Sequence, residues 1–409
     1  MGLIVQKFGG TSVGSVERIL NVAERVIEEK ERGNDVVVVV SAMGKTTDKL
    51  VSLAKDISSN PNKREMDMLL TTGEQITISL LTMALLQKGH DAISFTGWQA
   101  GIQTESIHGN ARILNIDSTR IKSELDNGRI VVVAGFQGIT EDDAISTLGR
   151  GGSDTTAVAI AATLKADKCD IYTDVTGVYT TDPRYVKDAR KLLAVSYDEM
   201  LELANLGAGV LHPRAVEFAK NYSVPLEVRS SMEREVGTMI EEEVRMEQNL
   251  VVRGVAFEDD ITRVSVLGLP NSLTSLSTIF TTLASNHINV DIIIQSSTNE
   301  NTTNLSFSIK SDDLNETIKV LGDNKSKLNY IGIESESGLA KVSIVGSGMI
   351  SNPGVAAEMF EVLAGNDIQV KMVSTSEIKV STVVEEGNMI RAVEALHQAF
   401  HLAGTPVKA

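Results

Sequence analysis

Cysteine is nearly absent from this sequence, since Cys169 is the single one among 409 residues. One cysteine excludes a disulfide within the chain and any metal site built from several cysteines. The sequence also lacks an uninterrupted run of about 18 apolar residues, so we expect no membrane-spanning helix. The opening MGLIVQKFGG has no basic segment followed by a long apolar core, so we expect no signal peptide and a cytoplasmic protein.

Positive charge is scarce relative to negative charge. The chain has 38 basic and 54 acidic side chains, a formal net charge of −16. That excess argues against nucleic acid or an anionic membrane as a partner. Hydrophobic residues make up 42% of the sequence and the mean hydropathy is +0.02, which is typical of a globular protein. The length predicts two or three domains.

The first half of the sequence alternates apolar runs with amphipathic stretches. We predict strands at Leu3–Phe8, Asp35–Gly44, Asp91–Gly97, Gly128–Gly138 and Asp167–Tyr179, and helices at Val16–Gly33, Asp67–Gly89 and Ser153–Ala166. This order predicts a mainly parallel sheet with helices on both faces. Ligands of such sheets bind beyond the carboxyl ends of the strands, where the Gly- and Ser-rich exits of this sequence fall.

The tail contains a duplicated strand–loop–helix–strand pattern. TRVSVLGLPNSLTSLSTIFTTLASNHINVDIIIQSS is matched by AKVSIVGSGMISNPGVAAEMFEVLAGNDIQVKMVSTS. A charged stretch at 241–249 precedes the first copy as a linker, and 249–257 is an extra strand that can pair with either copy. We therefore divide the chain at 1–245, 246–335 and 336–409. Each copy is small, so we expect the copies to pair with each other or across chains.

Two glycine-rich segments have the composition of anion-binding sites. In KFGGTS, Lys7 leaves the first strand before Gly9 and Gly10, whose N–H groups can approach a phosphate. In GRGGSD, Arg150 and two glycines precede Ser153 and Asp154, which open a helix and are expected to cap it. A tight turn with a solvated lysine and an ordinary helix cap are the structural alternatives. We favour the functional interpretation for the second segment, because Arg-Gly-Gly exceeds what capping requires.

Three further segments contain side chains suited to binding a charged ligand. Glu74 stands at a helix start and can accept a substrate ammonium or cap the helix. Ser41, Thr46 and Thr47 follow a strand, where hydroxyls and N–H groups can hold a carboxylate. DIYTDVTGVYTTDPR can hold a purine beside a metal–phosphate group, and an ordinary polar loop is equally compatible with its composition. The histidines, including His108 and His212, do not cluster, and we expect core or loop roles for them.

The segments KFGGTS, VSAMGKTTD, TGE, GRGGSDTTA, YTDVTGVYTTDPR and GAGVLHPRA occur in this order. Together with the duplicated tail, they resemble the aspartokinase family over essentially the whole length, in particular the long, alpha-type chain of Gram-positive members. The tail copies resemble ACT domains, which in this family bind amino-acid effectors. The resemblance implies an α/β fold, in which an amino-acid-kinase-like, mainly parallel sheet sandwiched by helices precedes two α+β ferredoxin-like ACT domains.

The resemblance implies transfer of a phosphoryl group from ATP, with Mg²⁺, to the side-chain carboxylate of L-aspartate. This step opens the route to lysine, methionine and threonine. Lys7 and Asp154 would be catalytic, Lys7 by neutralising the transferring phosphoryl group and Asp154 either through Mg²⁺ or opposite Lys7. The implied nucleotide-binding residues are Lys7, Phe8, Gly9, Gly10, Ser41, Thr173, Asp174, Tyr179, Asp182 and Arg184. No residue is assigned as a metal ligand.

The same resemblance implies a substrate site and an effector site. Arg150 would bind the α-carboxylate of aspartate, Glu74 its ammonium and Thr47 its side-chain carboxylate. The full substrate set is Ser12, Thr47, Glu74, Arg150, Gly151, Gly152 and Ser153. The implied effector residues are Asn271, Ser272, Thr274, Leu276, Asn289, Val290, Asp291, Gln295, Val355, Ala356, Gln369, Val370, Ser376 and Glu377. We expect feedback inhibition by lysine, alone or with threonine, and homo-oligomers formed through the ACT domains.

Two departures from the family pattern bear on these expectations. Gly209 stands in GAGVLHP where many members have a lysine, so a nucleotide contact there is limited to the backbone. The first tail copy has LPNSLTSLS in place of the frequent Asp-x-Pro-Gly loop, whereas the second copy keeps SNPGVAA. Met246 is a candidate start of a separate regulatory fragment. The competing functions are another amino-acid kinase, acting on glutamate, N-acetylglutamate or UMP, and a catalytically silent amino-acid sensor.

Overall fold

The run of five valines that ends Asp35–Val40 sets the middle of the N-terminal sheet. All five valines are fully buried, alternately facing an apolar cluster on one side of the sheet and a second cluster on the other. A strand covered on both faces reads as a continuous apolar run, as expected for a parallel sheet. We describe the fold from a computed structural model, which describes residues 2–206, 210–242, 251–297 and 301–404.

Twelve strands and eight helices lie in the described part of residues 2–242, which we call the N-terminal domain. The strands are β1 Leu3–Phe8, β2 Asp35–Val40, β3 Ala92–Phe95, β4 Ile102–Thr104, β5 Ile113–Ile116, β6 Ile130–Ala134, β7 Gln137–Ile139, β8 Ile145–Thr147, β9 Lys168–Thr173, β10 Ala194–Ser196, β11 Leu226–Ser230 and β12 Thr238–Glu241. The helices are α1 Val16–Glu31, α2 Thr46–Ile57, α3 Lys63–Leu70, α4 Thr72–Gln87, α5 Thr119–Asp126, α6 Gly152–Leu164, α7 Tyr197–Asn205 and α8 Pro213–Tyr222.

Eight of these strands form one sheet in the order β10-β12-β11-β9-β1-β2-β6-β3. The paired strands run parallel except at β11–β12. The predicted mainly parallel sheet between helices is therefore confirmed. Because Phe8 is in register with Val40 and Tyr172, the chain leaves β1, β2 and β9 at the same edge. A smaller sheet, β5-β4-β7-β8, lies in the same domain.

The helix predicted over 67–89 is two helices, because the chain turns at Thr71 between α3 and α4. By length and composition alone, one helical stretch within the described residues, Lys63–Gln87, is long and apolar enough to cross a membrane. Its second part, α4, packs against α1, β3 and β6 and buries Ile78, Leu81 and Leu85 in the core. Such packing is typical of a core helix in a globular domain.

The tail contributes a six-stranded sheet with helices. Its elements are β13 Gly254–Pro270, α9 Leu273–Ser285, β14 Ile293–Ser297, β15 Thr302–Lys310, α10 Leu314–Asp323, α11 Lys325–Leu328, β16 Gly332–Val345, α12 Val355–Gly365, β17 Met372–Thr375, β18 Lys379–Glu385 and α13 Met389–Ala399. Short 3-10 turns lie at Ser311–Asp313, Ser347–Ser351 and Glu386–Asn388. The strand order is β14-β15-β13-β16-β18-β17, so the two copies share one sheet, as expected from their small size.

The two long strands β13 and β16 each serve both copies. Residues 261–267 of β13 pair with 332–339 of β16 beside β15, whereas Gly254–Glu258 pair with Lys341–Val345 beside β18. We call residues 261–338 the first tail module, and residues 254–258 with 339–402 the second tail module. The extra strand predicted at 249–257 is thus seen from Gly254 onward, and it completes the second module. Its first two residues, 249–250, and most of the predicted linker lie outside the described residues.

Candidate active site

Lys7 lies at the edge of the sheet where the strands end, and its side chain is largely buried. Its ammonium is 2.5 Å from a carboxylate oxygen of Asp154 in the first turn of α6. A methyl group added at Gly9 would lie 3.5 Å from the Lys7 nitrogen, so the main chain of Gly9 borders this charge. The N–H of Gly9 donates to the carbonyl of Tyr172 at 3.3 Å, which ties the exit of β1 to that of β9.

Gly10 lies where the exits of β1 and β2 touch. A side chain there would come within 2.9 Å of the Ala42 carbonyl, and Gly44 donates its N–H to the carbonyl of Gly10 at 2.9 Å. Close approach of two backbones therefore requires glycine at position 10. Phe8 is fully buried and stacks on Tyr172 with ring centroids 4.5 Å apart. Any nucleotide contact at position 8 would thus come from its main chain.

The segment Gly149–Gly152 leads into α6 and presents Arg150 to solvent. Within the described residues, the Arg150 guanidinium makes no hydrogen bond or ion pair. The expected side-chain cap at Ser153 or Asp154 is wrong: Gly151 is the N-cap and no side chain caps the helix. The Ser153 hydroxyl is instead hydrogen-bonded to the Ser41 hydroxyl at 2.8 Å. The exits of β2 and the start of α6 therefore meet at these two hydroxyls.

Glu74 occupies the first turn of α4 and is 3% exposed. One carboxylate oxygen accepts a hydrogen bond from the N–H of Ala42 at 3.1 Å, and the other accepts none within the described residues. Burial raises the pKa of the Glu74 carboxyl to about 8, against the smaller opposing effect of its backbone hydrogen bonds. An unpartnered buried oxygen is a ready acceptor for a cationic group of a ligand.

The hydroxyl of Ser12 and the side chain of Thr47 occupy different settings. Ser12 is buried, and its hydroxyl donates to that of Ser231 at 2.8 Å, which in turn donates to the carbonyl of Thr173. The Ser12 side chain therefore joins the exits of β1, β9 and β11. Thr47 lies in the first turn of α2, directly after the β2 exit that carries Ser41 and Ala42.

The segment after β9 contains the predicted nucleotide residues. The Thr173 hydroxyl donates to a carboxylate oxygen of Asp174 at 3.1 Å, and the Tyr179 hydroxyl is hydrogen-bonded to Thr176 at 2.7 Å. Arg184 pairs with Asp182 at 2.6 Å, and this hydrogen bonding holds the pKa of the Asp182 carboxyl below its ordinary value. Because β9 pairs with β1, Thr173 and Asp174 lie at the strand end beside that of Lys7. The Asp182–Arg184 pair lies farther along the loop.

His212 lies against the Arg150 turn and is the N-cap of α8, which is compatible with the loop role expected for it. A side chain at Gly151, whose φ is +70°, would lie 2.1 Å from the imidazole ring, so the ring packs directly on that main chain. Burial lowers the pKa of His212, although Asp154 acts in the opposite direction. Nδ1 accepts the N–H of Arg214 at 3.4 Å, which leaves the proton on Nε2. The only available sequence signal was the GAGVLHPRA segment; its Gly209 lies outside the described residues.

The predicted effector residues fall at both ends of the tail modules. In the first module, Asn271, Ser272, Thr274 and Leu276 follow the carboxyl end of β13, whereas Asn289, Val290 and Asp291 precede β14 at the opposite end, with Gln295 inside that strand. In the second module, Val355, Ala356, Ser376 and Glu377 lie at one end, and Gln369 and Val370 at the other. Within one chain, the structure therefore does not bring all of them together.

One subset of these residues meets at the junction of the modules. Asp291 forms an ion pair with Lys341 of β16 at 2.5 Å. The next residue, Ile292, shares a small apolar cluster with Met372, just beyond Gln369 and Val370. The segments 289–291 and 369–370 thus lie on either side of one junction. Ser272 instead caps α9 by accepting the N–H of Ser275 at 3.2 Å.

Among the residues that the structure describes, no group of three or more His, Cys, Asp or Glu side chains could hold a metal ion. Mg²⁺ at nucleotide sites takes most of its ligands from phosphates and water, with one or two carboxylates from the protein. Asp154 beside Lys7, with Asp174 at the neighbouring strand exit, offers that donor chemistry.

Comparison with known proteins agrees with this architecture. The model of the amino acid kinase family matches residues 2–230, and that of the ACT domain matches 264–324 and 342–400. The aspartokinase of Bacillus sp. (strain MGA3) is 81% identical over 408 residues, which cover 100% of this chain and 99% of that protein.

Two solved structures of one E. coli enzyme are also similar to this chain. Aspartokinase III in complex with aspartate and ADP (R-state) is 26% identical, with a TM-score of 0.83 over 97% of this chain and 99% of that one. The same enzyme in complex with lysine and aspartate (T-state) has a TM-score of 0.74 at the same identity and coverage.

Proposed function

The chain belongs to the amino acid kinase family as an aspartokinase with ACT domains, and from this premise we propose how its residues carry out the reaction. The enzyme transfers the γ-phosphoryl group of ATP to the side-chain carboxylate of L-aspartate. A carboxylate oxygen forms the new P–O bond while the bond to the ADP oxygen breaks. The nucleophile is already ionised at neutral pH, so no strong base is needed, and positioning and charge stabilisation dominate.

The observation that carries the assignment is the buried Lys7–Asp154 pair, between the glycine turn after β1 and the start of α6. In our proposal, Lys7 neutralises charge on the transferring phosphoryl group, and the N–H groups of Gly9 and Gly10 surround it. Asp154 holds the ammonium in place at 2.5 Å. The α6 N-terminus, which has no side-chain cap, adds N–H groups favourable to an anion.

The substrate site proposed here uses charges of both signs. Arg150, exposed and without a partner in the described residues, binds the α-carboxylate in a two-hydrogen-bond fork. The free oxygen of Glu74 accepts the substrate ammonium, and Thr47 contributes to holding the side-chain carboxylate. Gly151, Gly152 and Ser153 line the approach through their main chain. Ser12 supports the site indirectly, because its hydroxyl is committed to Ser231.

The nucleotide side of the proposed site consists of the exits of β1, β2 and β9. Ser41 stands near the phosphates, and Thr173, Asp174, Tyr179, Asp182 and Arg184 surround the rest of the nucleotide. The similar R-state structure of E. coli aspartokinase III contains ADP, which supports nucleotide binding by this domain. Mg²⁺ bound with ATP would be held by phosphates and by Asp154 or Asp174, and would supply further charge neutralisation.

Feedback inhibition through the tail is part of the proposal. The neighbouring T-state enzyme was solved with lysine, and this supports lysine as the favoured effector, with threonine as the second candidate. The candidate contacts are the effector residues of the two tail modules. We also propose a homo-oligomer formed through these modules, because within one chain the candidate residues lie at separate ends. An effector inhibits by binding the less active state more tightly.

Three organisational proposals accompany this function. We propose the division at 1–245, 246–335 and 336–409. Gly254–Glu258 belong to the middle part by their position in the chain, but they pair with β16 in the second tail module. Met246, which lies outside the described residues, remains the proposed start of a regulatory fragment. A cytoplasmic location is proposed from the single cysteine, which is buried, and from the packing of α4 into the core.

The test of function is coupled ADP release with ATP, Mg²⁺ and L-aspartate, compared between the parent enzyme and Lys7→Met. Methionine keeps the apolar stem and removes the charge, so we expect kcat to fall by roughly 1,000-fold. Lys49→Met, an exposed lysine on α2, is the matched control and should leave kcat within about two-fold.

Aspartate-dependent turnover that is lost in Lys7→Met and kept in Lys49→Met supports the assignment. Equal turnover by both variants removes Lys7 from the mechanism. Turnover with glutamate in preference to aspartate would favour the other amino-acid kinases, and binding without turnover would favour a sensor. Repeating the assay with lysine and with threonine identifies the effector.

A further inference from the structure

Asp67 is a buried carboxylate that has no part in the mechanism above. It lies on α3, is fully buried, and accepts hydrogen bonds on both oxygens. One oxygen accepts the Thr147 hydroxyl at 2.6 Å, the other contacts His108 Nδ1 at 2.8 Å, and the N–H of Gly109 reaches both at 3.1 Å. Several hydrogen-bond donors fix the orientation of a buried carboxylate, because each bond restricts its position.

The groups held by Asp67 lie next to the main chain that carries Arg150. Thr147 is the last residue of β8, three residues before Arg150. The carbonyl of Thr147 also accepts the N–H of Ala111 at 2.9 Å. Asp67 therefore fastens two neighbouring segments, residues 108–111 and the end of β8, to the helix α3.

A second side chain, that of Arg214, holds the same segments. The Arg214 guanidinium on α8 donates to the carbonyl of Leu148 at 2.7 Å, to that of Ala111 at 3.0 Å and to Asn110 Oδ1 at 3.1 Å. Gly149, with φ +76°, runs so close to Asn110 that a side chain would lie 2.7 Å from its Oδ1. The main chain entering the Arg150 turn is thus held by both a carboxylate on α3 and a guanidinium on α8.

We propose that Asp67 is a positioning residue for the aspartate substrate, which it affects by fixing, through Thr147 and residues 108–111, the main chain that carries Arg150. The inference rests on the proposed role of Arg150. Because the Arg150 side chain makes no polar contact in the described residues, its placement depends on the backbone beneath it. Displacement of a binding group by about 1 Å is enough to cost about 100-fold in rate.

A purely structural role for Asp67 predicts a different pattern from a positioning role. Lost stability lowers the fraction of folded enzyme, which lowers the apparent kcat and leaves both KM values unchanged. A displaced Arg150 weakens the α-carboxylate contact, so it raises the KM for aspartate and spares the KM for ATP. The separation of the two KM values therefore distinguishes the two roles.

The experiment compares Asp67→Ala, Thr147→Val and Asp56→Ala in the full-length enzyme, with ATP and aspartate varied separately. Asp56 is the matched control, because it is exposed near the end of α2. We expect the KM for aspartate to rise by roughly 10-fold or more in Asp67→Ala and about 3-fold in Thr147→Val, with the KM for ATP within about two-fold. Asp56→Ala should change neither. If Asp67→Ala fails to fold, Thr147→Val still tests the inference, because it removes a single hydroxyl that donates to Asp67.

Arg150→Ala, alone and combined with Asp67→Ala, tests the role of Arg150 separately from that of Asp67. If Asp67 acts through Arg150, the double variant has the aspartate KM of Arg150→Ala within about two-fold. Effects that multiply in the double variant, or equal rises of both KM values in Asp67→Ala and Thr147→Val, overturn the inference. An Arg150→Ala enzyme with unchanged aspartate KM instead overturns the proposed role of Arg150.

Discussion

The two sides of the proposed active site are supported by different parts of the molecule. On the aspartate side, Glu74 bonds to Ala42, and the Arg150 turn is held by Asp67 and Arg214, all within the N-terminal domain. On the nucleotide side, the segment between β9 and β10 has its ends in the N-terminal core, through Val178 and Leu192. We call this segment, residues 174–193, the nucleotide loop, because it contains several of the proposed nucleotide residues; its middle lies against the tail.

Thr180 is the clearest contact between the nucleotide side and the second tail module. Its carbonyl accepts the N–H of Val255 at 2.7 Å, and its hydroxyl is hydrogen-bonded to His397 Nε2 at 2.9 Å. Val186 belongs to the apolar core of the second module. The Tyr185 ring meets Phe257 edge-on, with centroids 5.3 Å apart. The second module is therefore a structural support of the nucleotide loop.

Among the described residues, this loop contacts the second tail module, and the first module is joined to the second. The described contacts that join the modules include the β13–β16 ladder, the apolar cluster of Ile292 and Met372, and the Lys341–Asp291 ion pair. The second module contacts the N-terminal domain directly: Glu199 accepts the N–H and hydroxyl of Ser347 at 2.9 and 2.7 Å. A change that an effector makes in the tail thus has a continuous route to the nucleotide side, whereas the aspartate side is held elsewhere.

Removing the tail after Gln248, a residue outside the described ones, should have the largest effect on the difference between the two sides. Inhibition should disappear, and the nucleotide loop should also lose Val255, Phe257 and His397. We expect kcat/KM for ATP to fall by roughly 100-fold, because a mispositioned binding loop costs about that much. Aspartate binding, measured by calorimetry without nucleotide, should survive within a few-fold.

The matched control for the truncation removes the first module alone. Joining Ile261 to Gly338 through a short Gly-Ser linker deletes residues 262–337 and keeps the pairing of Gly254–Glu258 with β16. This variant should keep its ATP parameters and lose inhibition. A fully active enzyme truncated after Gln248 would show that the second module does not support the nucleotide side.

Changing pH should act on the aspartate side alone, through Glu74. With a pKa of about 8, the carboxyl is neutral over most of the range below 8, and a neutral acid is a poor partner for an ammonium. The KM for aspartate should therefore fall by roughly 25-fold between pH 6.5 and 8.5, as the carboxyl ionises. The KM for ATP should be unaffected by this group.

The same ionisation sets the sign of its effect on stability. The folded-state pKa lies above the ordinary value of 4.5, so the folded protein holds this proton more tightly. Its contribution to the free energy of unfolding is thus lost as pH rises from about 4.5 through 8. Glu74→Gln should give a raised aspartate KM that is independent of pH. A parent enzyme with a flat aspartate KM over this range contradicts the proposed role of Glu74.

Much of the fold was predictable because its signals are local. The valine run of β2 and the Gly-rich exits predicted a parallel sheet, and the repeated pattern predicted two tail copies. The shared strands were not predictable, since pairing of Gly254–Glu258 with β16 is a long-range choice between two equivalent partners. The break of the 67–89 helix at Thr71 also escaped periodicity, because the residues on both sides of Thr71 are helical.

The candidate site residues also differ in whether a local sequence signal indicates them. Lys7, Gly10 and Arg150 stand in short segments whose composition indicates anion binding, so the sequence alone suggests them as candidates. Asp67 and His212 contact partners that are distant in the chain, at Thr147 and Gly151, and their neighbours in sequence give no such signal. The capping prediction at Ser153 and Asp154 was wrong for the same reason, since both side chains bind across the sheet edge.

The smallest predicted effect tests the Thr180–His397 contact itself. Thr180→Val keeps the shape of the side chain and removes the hydroxyl that bonds to His397 Nε2 and accepts the N–H of Arg190 at 2.9 Å. Losing a buried hydrogen bond costs about 1–2 kcal/mol, part of which should appear as a rise of about 3- to 5-fold in the KM for ATP. The KM for aspartate should be unchanged.

Thr163→Val is the matched control, because among the described residues its hydroxyl bonds within α6 alone, to the carbonyl of Ala159 at 2.9 Å. It should leave both KM values unchanged. If Thr180→Val shifts the KM for aspartate as much as that for ATP, the loop supports both sides and the division between them fails. If the variant also weakens inhibition by the effector, the hydroxyl contact is part of the route by which the tail reaches the nucleotide.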